Sequence, residues 1–285
     1  MGQPVKTDIA SYLLEELKKS FKQHNRAFNR CKKNLTENSV HKLRISSRKL
    51  LALCSILERI CRDKKSAARV ENIVRERLKC LSSLRDIHVM QSTVGLLMGE
   101  AARETAFYEE LESKENKLSK KAKKHLRTHT LKETKRYQRR LEQQAEQLAS
   151  IDDAFLSSIL CDFVRIAEHE AKQALSECEA SDTATIHKAR IAFKHYRYLC
   201  SAFENALPYT PAFDSAQRTQ LQTLMGVIQD LDVLSKRVEA SDHKQSLGSL
   251  QTALKAALMN RCVEFCTFTQ GRISLSQLAA AEAYA

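Results

Sequence analysis

The sequence predicts an all-α protein, and three observations predict it. Gly and Pro are scarce, six and three in 285 residues, and Trp is absent, which leaves little turn chemistry. Ala, Leu, Glu, Lys, Gln and Arg, all strong helix formers, dominate the composition. The stretch Val40-His41-Lys42-Leu43-Arg44-Ile45-Ser46-Ser47-Arg48-Lys49 carries apolar residues at helical spacing, and it returns 146 positions on as Ile186-His187-Lys188-Ala189-Arg190-Ile191-Ala192-Phe193-Lys194.

On a helix, a histidine followed by basic residues three and seven later occupies one stripe about 60° wide and about 10 Å long. His41, Arg44 and Arg48 therefore share a face, as do His187, Arg190 and Lys194, with Arg197 adding a turn. Leu43, Leu50, Cys54 and Leu57 fall on the opposite side, and so, at the same offset, do Ala189, Tyr196, Cys200 and Phe203. Each segment reads as a helix with its back in a core and cations on its front. A second pair strengthens the repeat: Leu84-Arg85-Asp86-Ile87-His88-Val89-Met90 aligns with Ile228-Gln229-Asp230-Leu231-Asp232-Val233-Leu234, 144 positions apart.

The elements follow in order. Ile9, Tyr12, Leu13, Leu17, Phe21, His24 and Phe28 mark the apolar stripe of a first helix over 7–33. Thr36 is the N-cap of the second helix, as Asp182 is of its counterpart, which puts each motif histidine in the second turn. A third helix over 65–83 ends before Arg85-Asp86, where the chain turns into a long fourth helix over 88–149. Ser150, Asp152 and Asp153 cap a fifth, begun by Phe155, Ile159, Phe163 and Ile166. The sixth carries the second motif and stops at Leu207-Pro208-Tyr209-Thr210-Pro211, the clearest loop in the chain. A seventh over 214–228 and an eighth over 232–269, interrupted near Asp242-His243, precede an Ala- and Ser-rich tail from Gly271, partly helical and without recognisable chemistry. The division falls at residue 150, into halves 1–150 and 151–285.

Charge is unevenly spread. Of the net +13, residues 1–150 carry +16 and residues 151–285 carry −3. Such a field suggests a polyanionic partner, whether nucleic acid, polyphosphate or an anionic membrane surface. Nine scattered cysteines without an apolar leader in residues 1–20 read as reduced thiols of a cytoplasmic chain. Cys54 and Cys200 occupy matching core positions, and Cys262 with Cys266 lacks the further ligands that a metal needs. No run of 18 apolar residues is present, so no membrane span is expected.

His-x-x-Arg on a helix, followed some 40 residues later by an Asp-centred apolar motif, all of it twice, resembles the CHAD family, the conserved histidine α-helical domain. The resemblance covers nearly the whole chain. It implies two four-helix bundles related by approximate two-fold symmetry, together one CHAD domain, with basic helix faces that bind inorganic polyphosphate. The residues expected to bind are His41, Lys42, Arg44, Arg48 and Lys49 in the first motif and His187, Lys188, Arg190, Lys194 and Arg197 in the second, lining one groove. The resemblance also favours the basic run of the long helix as a continuation of that face, through Lys120, Lys121, Lys124, Arg127, Lys135, Arg136 and Arg139. A solvated helix face or connector is the plain alternative for that run.

Arg and Lys at three- and four-residue spacing donate to consecutive phosphates, Arg bidentately. A histidine among them loses proton affinity and regains it when phosphate arrives. Asp86 and Asp230 read as carboxylates that pair with motif arginines and orient them, beside Arg85; Gln229 and Leu51 mark where each copy lacks a cation that the other has. Asp230-Leu231-Asp232 as a metal site is opposed by His88 in the first copy, and neither metal nor cofactor is expected.

Three other readings compete. A histidine phosphotransfer protein also presents a histidine on a four-helix bundle, but Ile45 and Ile191 crowd the side a kinase needs. A nucleic-acid binder explains the charge yet finds no helix-turn-helix punctuation or aromatic ladder, so only weak non-specific binding is expected. Glu110-Leu111-Glu112-Ser113-Lys114 matches the Glu-x-Glu-x-Lys of CYTH triphosphate-processing enzymes, but in a helical region instead of a strand. The expectation is a non-enzymatic, cytoplasmic polyphosphate binder, associated with polyphosphate granules and polyphosphate-associated proteins and not with a membrane.

Overall fold

A computed structural model of the chain describes residues 8–204 and 206–282, with side chains described except at position 244 and from 270 onward. Among the described residues every regular element is helical: α1 (Ile9–Lys33), α2 (Glu37–Ile60), α3 (Lys64–Met98), α4 (Ala106–Thr128), α5 (Leu131–Gln147), α6 (Asp153–Ser176), α7 (Thr183–Phe203), α8 (Ser215–Glu239) and α9 (Gly248–Glu282). Short 3₁₀ turns fill Gly99–Glu104, Leu148–Ser150 and Lys244–Leu247. No helix among them is long and apolar enough to cross a membrane.

The helices start where capping chemistry permits. Asp8 accepts the Ser11 N–H at 2.9 Å, and Asp152 accepts the Phe155 N–H at 2.9 Å. Asp214 and Gln217 close a reciprocal capping box on α8. Asp153 accepts the Ile9 N–H at 2.7 Å, joining the first turns of α1 and α6.

The helices gather into two compact units, one made of residues up to Arg85, Asn116–Arg165 and Tyr198–Tyr209, the other of Asp86–Glu115, Ile166–Arg197 and the chain from Thr210. These units and the sequence halves 1–150 and 151–285 are different partitions of the chain. In the first unit Leu13, Leu17, Phe21 and Phe28 of α1 are buried, as are Leu43, Leu50, Cys54 and Leu57 of α2. Phe28, Cys31, Val40, Leu43, Leu81 and Leu84 form one cluster with Ala122 and Leu126 of α4. In the second unit Phe193, Tyr196 and Phe213 pack edge to face, with centroids 5.7–6.4 Å apart. The expected core residues Ala189, Tyr196, Cys200 and Phe203 are all buried.

Several expected boundaries are displaced. No turn occurs at Arg85-Asp86: α3 runs on to Met98, because Leu84, Ile87, Met90 and Val94 continue the buried three-four spacing without a breaker. Likewise α8 passes through Asp230. The long helix over 88–149 is in fact broken twice. Gly99, at φ +62°, takes the left-handed conformation that closes a helix, and Thr130 caps a new one by accepting the Lys132 N–H. On α6 the buried positions include Leu156, Leu160, Val164 and Ala167, while Phe155 and Ile166 are exposed, one residue out of phase with the expected stripe. The expected break near Asp242-His243 is present, between α8 and the turn at Lys244–Leu247. Of the tail from Gly271, α9 includes the backbone as far as Glu282, while its side chains lie outside those described.

Candidate functional site

Thr36 fixes the first motif. Its hydroxyl accepts the Ser39 N–H at 3.2 Å while Ser39 Oγ accepts the Thr36 N–H at 2.9 Å, which sets the helix phase before His41. Leu43, Ser46, Ser47 and Leu50 turn inward, leaving His41, Lys42 and Lys49 exposed and Arg44 and Arg48 half-buried. Arg44 leans over α3, donating to Ser82 Oγ at 3.0 Å and to the Leu78 carbonyl at 3.5 Å. Arg85, farther along α3, ion-pairs with Glu37 at 2.6 Å, a carboxylate that the sequence reading did not single out. Burial first, then the nearby Arg85 and Arg44 cations, hold His41 below the usual histidine range, with Glu37 pulling weakly the other way. Asp86 is exposed on α3.

Beneath α2 lies a second polar arrangement. Arg77 of α3, 1% exposed, donates from Nη1 to His24 Nε2 at 3.1 Å and from Nη2 to Thr134 Oγ1 at 2.9 Å and the Thr130 carbonyl at 3.0 Å. Its guanidinium lies 4.5 Å from the centroid of Phe28. Because Arg77 can only donate, His24 Nε2 accepts; the ring proton is on Nδ1, which donates to Ser47 Oγ at 3.2 Å. Burial, then the Arg77 charge, pushes His24 down to about 3, and burial lowers Arg77 to about 10. A neutral histidine thus receives a buried cation, and residues of α1, α2, α3 and α5 meet around it. Sequence reading placed His24 on an apolar stripe and passed over Arg77, since a lone Arg within a helical pattern looks like surface.

The basic run is divided between α4 and α5. Ala122 and Leu126 are buried, and Lys120, Lys121, Lys123, Lys124 and Arg127 are exposed. On α5, Lys132, Lys135, Arg136 and Arg139 are exposed. Glu133 pairs with Arg69 of α3 at 2.9 Å. At the break, His125 and His129 stack with centroids 4.1 Å apart, and Lys32 reaches the Arg127 and His129 carbonyls at 3.4 and 3.5 Å. The motif helix α2 and the basic helix α4 share one core cluster, so these cations all belong to the first unit.

The second motif lies on α7, where Asp182 accepts the Ala184 N–H at 2.8 Å. His187 and Lys188 are exposed, and Arg190, Lys194 and Arg197 are half-buried. His187 donates from Nδ1 to Gln229 Oε1. Lys188 pairs with Glu177 at 2.9 Å, and Arg197 donates to Gln222 Oε1 at 2.5 Å. Asp230 is half-buried on α8. Asp232 receives Thr183 Oγ1 at 3.0 Å and Lys236 at 2.8 Å, so its carboxylate has helix-joining work here. No cluster of three or more His, Cys, Asp or Glu residues suited to a metal occurs among the described residues.

The sequence profile described as "CHAD domain" matches residues 13–239. The chain belongs to the CHAD-domain family. The match begins within α1 and ends at Glu239, the last residue of α8. Among solved structures, the crystal structure of the CHAD domain from the plant Ricinus communis aligns with TM-score 0.67 at 13% identity, covering 95% of this chain and 94% of that one. PptA from Streptomyces chartreusis aligns with TM-score 0.56 at 11% identity, covering 95% of this chain and 100% of the other. At such identities the shared feature is the CHAD fold. No curated protein matches the chain by sequence.

Proposed function

We propose that this CHAD protein binds inorganic polyphosphate, without catalysing its turnover, along the cationic faces of α2, α4 and α7. The observation that carries the reading is in the first unit. Lys42, Arg48 and Lys49 of α2 and Lys120, Lys121, Lys123, Lys124 and Arg127 of α4 all reach solvent, and among the described residues none of them ion-pairs with a carboxylate. Exposed cations without protein counter-ions are open to exchange their mobile solvent ions for a polyanion, and a linear chain of phosphates offers negative charge at close spacing. His41 fits the same reading, because partial burial first and then the Arg85 and Arg44 cations disfavour its proton, and a phosphate beside those cations would offset their share. In this proposal Asp86 and Asp230 steady motif arginines. On the same reading the two motif-bearing halves descend from the duplication of one four-helix bundle, and the protein works in the cytoplasm beside polyphosphate-associated proteins.

The test is competition. Long-chain polyphosphate and duplex DNA are titrated at equal phosphate concentration over a salt series, with the expectation that polyphosphate binds tighter throughout and that its affinity falls steeply with salt. Equal or tighter binding of DNA at moderate salt would overturn the proposal.

A further inference from the structure

Behind the motif, α2 forms one wall of a groove of about 720 Å³ whose other wall is α1. Arg26 and Arg30 of α1 face Lys42 and Lys49 of α2 across it, and no carboxylate lines it. Among the described residues, none of these four side chains has a protein partner. Like charges four apart on one helix repel, as Arg26 and Arg30 do, and a second cationic pair on the opposing wall adds to that repulsion. Gln23 and Asn29 contribute amide donors. A ligand that answers four cations within so short a span carries several negative charges in a row.

From this arrangement we infer that the α1–α2 groove is a seat for a chain of phosphoryl groups, gripped by Arg26 and Arg30, which belong to neither motif. Arginine forks take phosphate oxygens in pairs and the lysines supply point charge. The seat is separate from the cluster of His41, Arg44 and Arg85, because Arg44 leans to the α3 side of α2 and the groove opens on the α1 side. Ile45, 39% exposed, stands on the crest between them. A long chain therefore crosses α2 from groove to cluster instead of running along the helix. The crossing rests on the polyphosphate reading; the groove as an oligophosphate seat stands without it.

Calorimetric titration of wild type, Arg26→Ala/Arg30→Ala and the charge-matched Lys64→Ala/Lys65→Ala decides it, using long-chain polyphosphate, tripolyphosphate and ATP as probes and circular dichroism to verify folding. The arginine variant is expected to weaken tripolyphosphate about tenfold, and long chains about fivefold with a salt slope shallower by about two. The lysine control should lose less than about twofold. Arg26→Lys/Arg30→Lys should recover part of the loss. A deficit confined to ATP keeps the seat and makes a nucleotide tail its occupant. An arginine variant that tracks the control with every probe overturns the groove while leaving polyphosphate binding intact. A wild type that binds none of the probes overturns both.

Discussion

Around α2, Lys42, Arg48 and Lys49 face solvent without a carboxylate partner among the described residues, whereas around α7 Lys188 meets a carboxylate and His187 and Arg197 meet amides. Arg44 donates to Ser82 and the Leu78 carbonyl among its contacts. Lys188 is paired with Glu177, Arg197 with Gln222 and His187 with Gln229. The contrast extends inward. Each unit holds a buried arginine: in the first, Arg77 donates to a neutral histidine, while in the second Arg218 donates to the Phe213 carbonyl at 2.6 Å and a largely buried carboxylate, Glu168, accepts the Tyr196 hydroxyl at 2.8 Å and the Ala212 N–H at 3.0 Å. A shared helical pattern therefore fixes which face a residue occupies; the neighbours decide whether its charge remains available to a ligand.

The largest expected effect tests the inner contrast. Arg77→Met should destabilise the protein by about 3–5 kcal/mol, because removing the donor strands His24, Thr134 and the Thr130 carbonyl in the core. Glu168→Gln keeps an acceptor for Tyr196 and Ala212 and should cost about 1–2 kcal/mol. Urea denaturation of both measures the difference. Equal losses would show that stranding the partners of a buried arginine costs no more than neutralising the partly exposed network at Glu168.

His24 gives the next largest effect, through pH. Its folded value near 3 lies below the ordinary 6.5, so between those limits the unfolded chain takes up a proton that the folded chain refuses. Stability present above pH 6.5 is therefore lost as pH falls, by about 1.4 kcal/mol per unit, or about 2 kcal/mol at pH 5. His24→Asn can still accept from Arg77 and donate to Ser47 but cannot titrate. Its unfolding free energy should be lower than wild type at pH 7 and should lose about 2 kcal/mol less than wild type between pH 7 and pH 5. Parallel pH curves for the two proteins would show that the histidine does not set the acid sensitivity.

These inner groups show where sequence reading stopped. Caps, the apolar backs of both motif helices and the cationic fronts were legible, since Thr36, Asp182, Leu43 and Tyr196 act locally and obey the helical period. The Arg85-Asp86 motif looks like a boundary in sequence, but Leu84, Ile87 and Met90 carry the helix through it. Gly99 was the real breaker, and only its positive φ separates it from the tolerated Gly95. Arg77 and His24 could not be paired from sequence: they are 53 residues apart, and nothing local distinguishes a buried arginine from a solvated one.

The outer contrast makes a binding prediction. Lys42→Ala/Arg48→Ala/Lys49→Ala should weaken long-chain polyphosphate about tenfold, and Lys188→Ala/Arg190→Ala/Arg197→Ala only about threefold. Each removes three positive charges. On α7, however, a phosphate must first displace Glu177 from Lys188 and Gln222 from Arg197, so part of the gain is already spent within the protein. Filter binding at one salt concentration reads the ratio. A larger loss from the α7 variant would mean that protein partners orient those cations for the ligand instead of occupying them.

The smallest expected effect isolates a single proton. His41 sits below its usual range, first through burial and then through the Arg85 and Arg44 cations, and bound phosphate would offset the share due to those cations and raise it. Binding then takes up a fraction of a proton, so affinity for polyphosphate should rise as pH falls from 8 to 6, by about two- to threefold per unit and below the tenfold ceiling for one proton. His41→Ala should flatten that slope. Position 85 sharpens the comparison, because Gln229 stands at the equivalent place in the second motif. Arg85→Gln gives the first motif the neutral side chain of the second, removes one of the cations that expel the proton, and frees Glu37, whose pull on His41 is upward. Both changes raise His41 before any ligand arrives, so less proton uptake remains for binding and the slope should shrink while overall affinity falls. Isothermal titration in two buffers of different ionisation enthalpy counts the protons directly. An uptake that survives His41→Ala unchanged would assign the proton to another group and leave the motif histidine as a hydrogen-bonding residue alone.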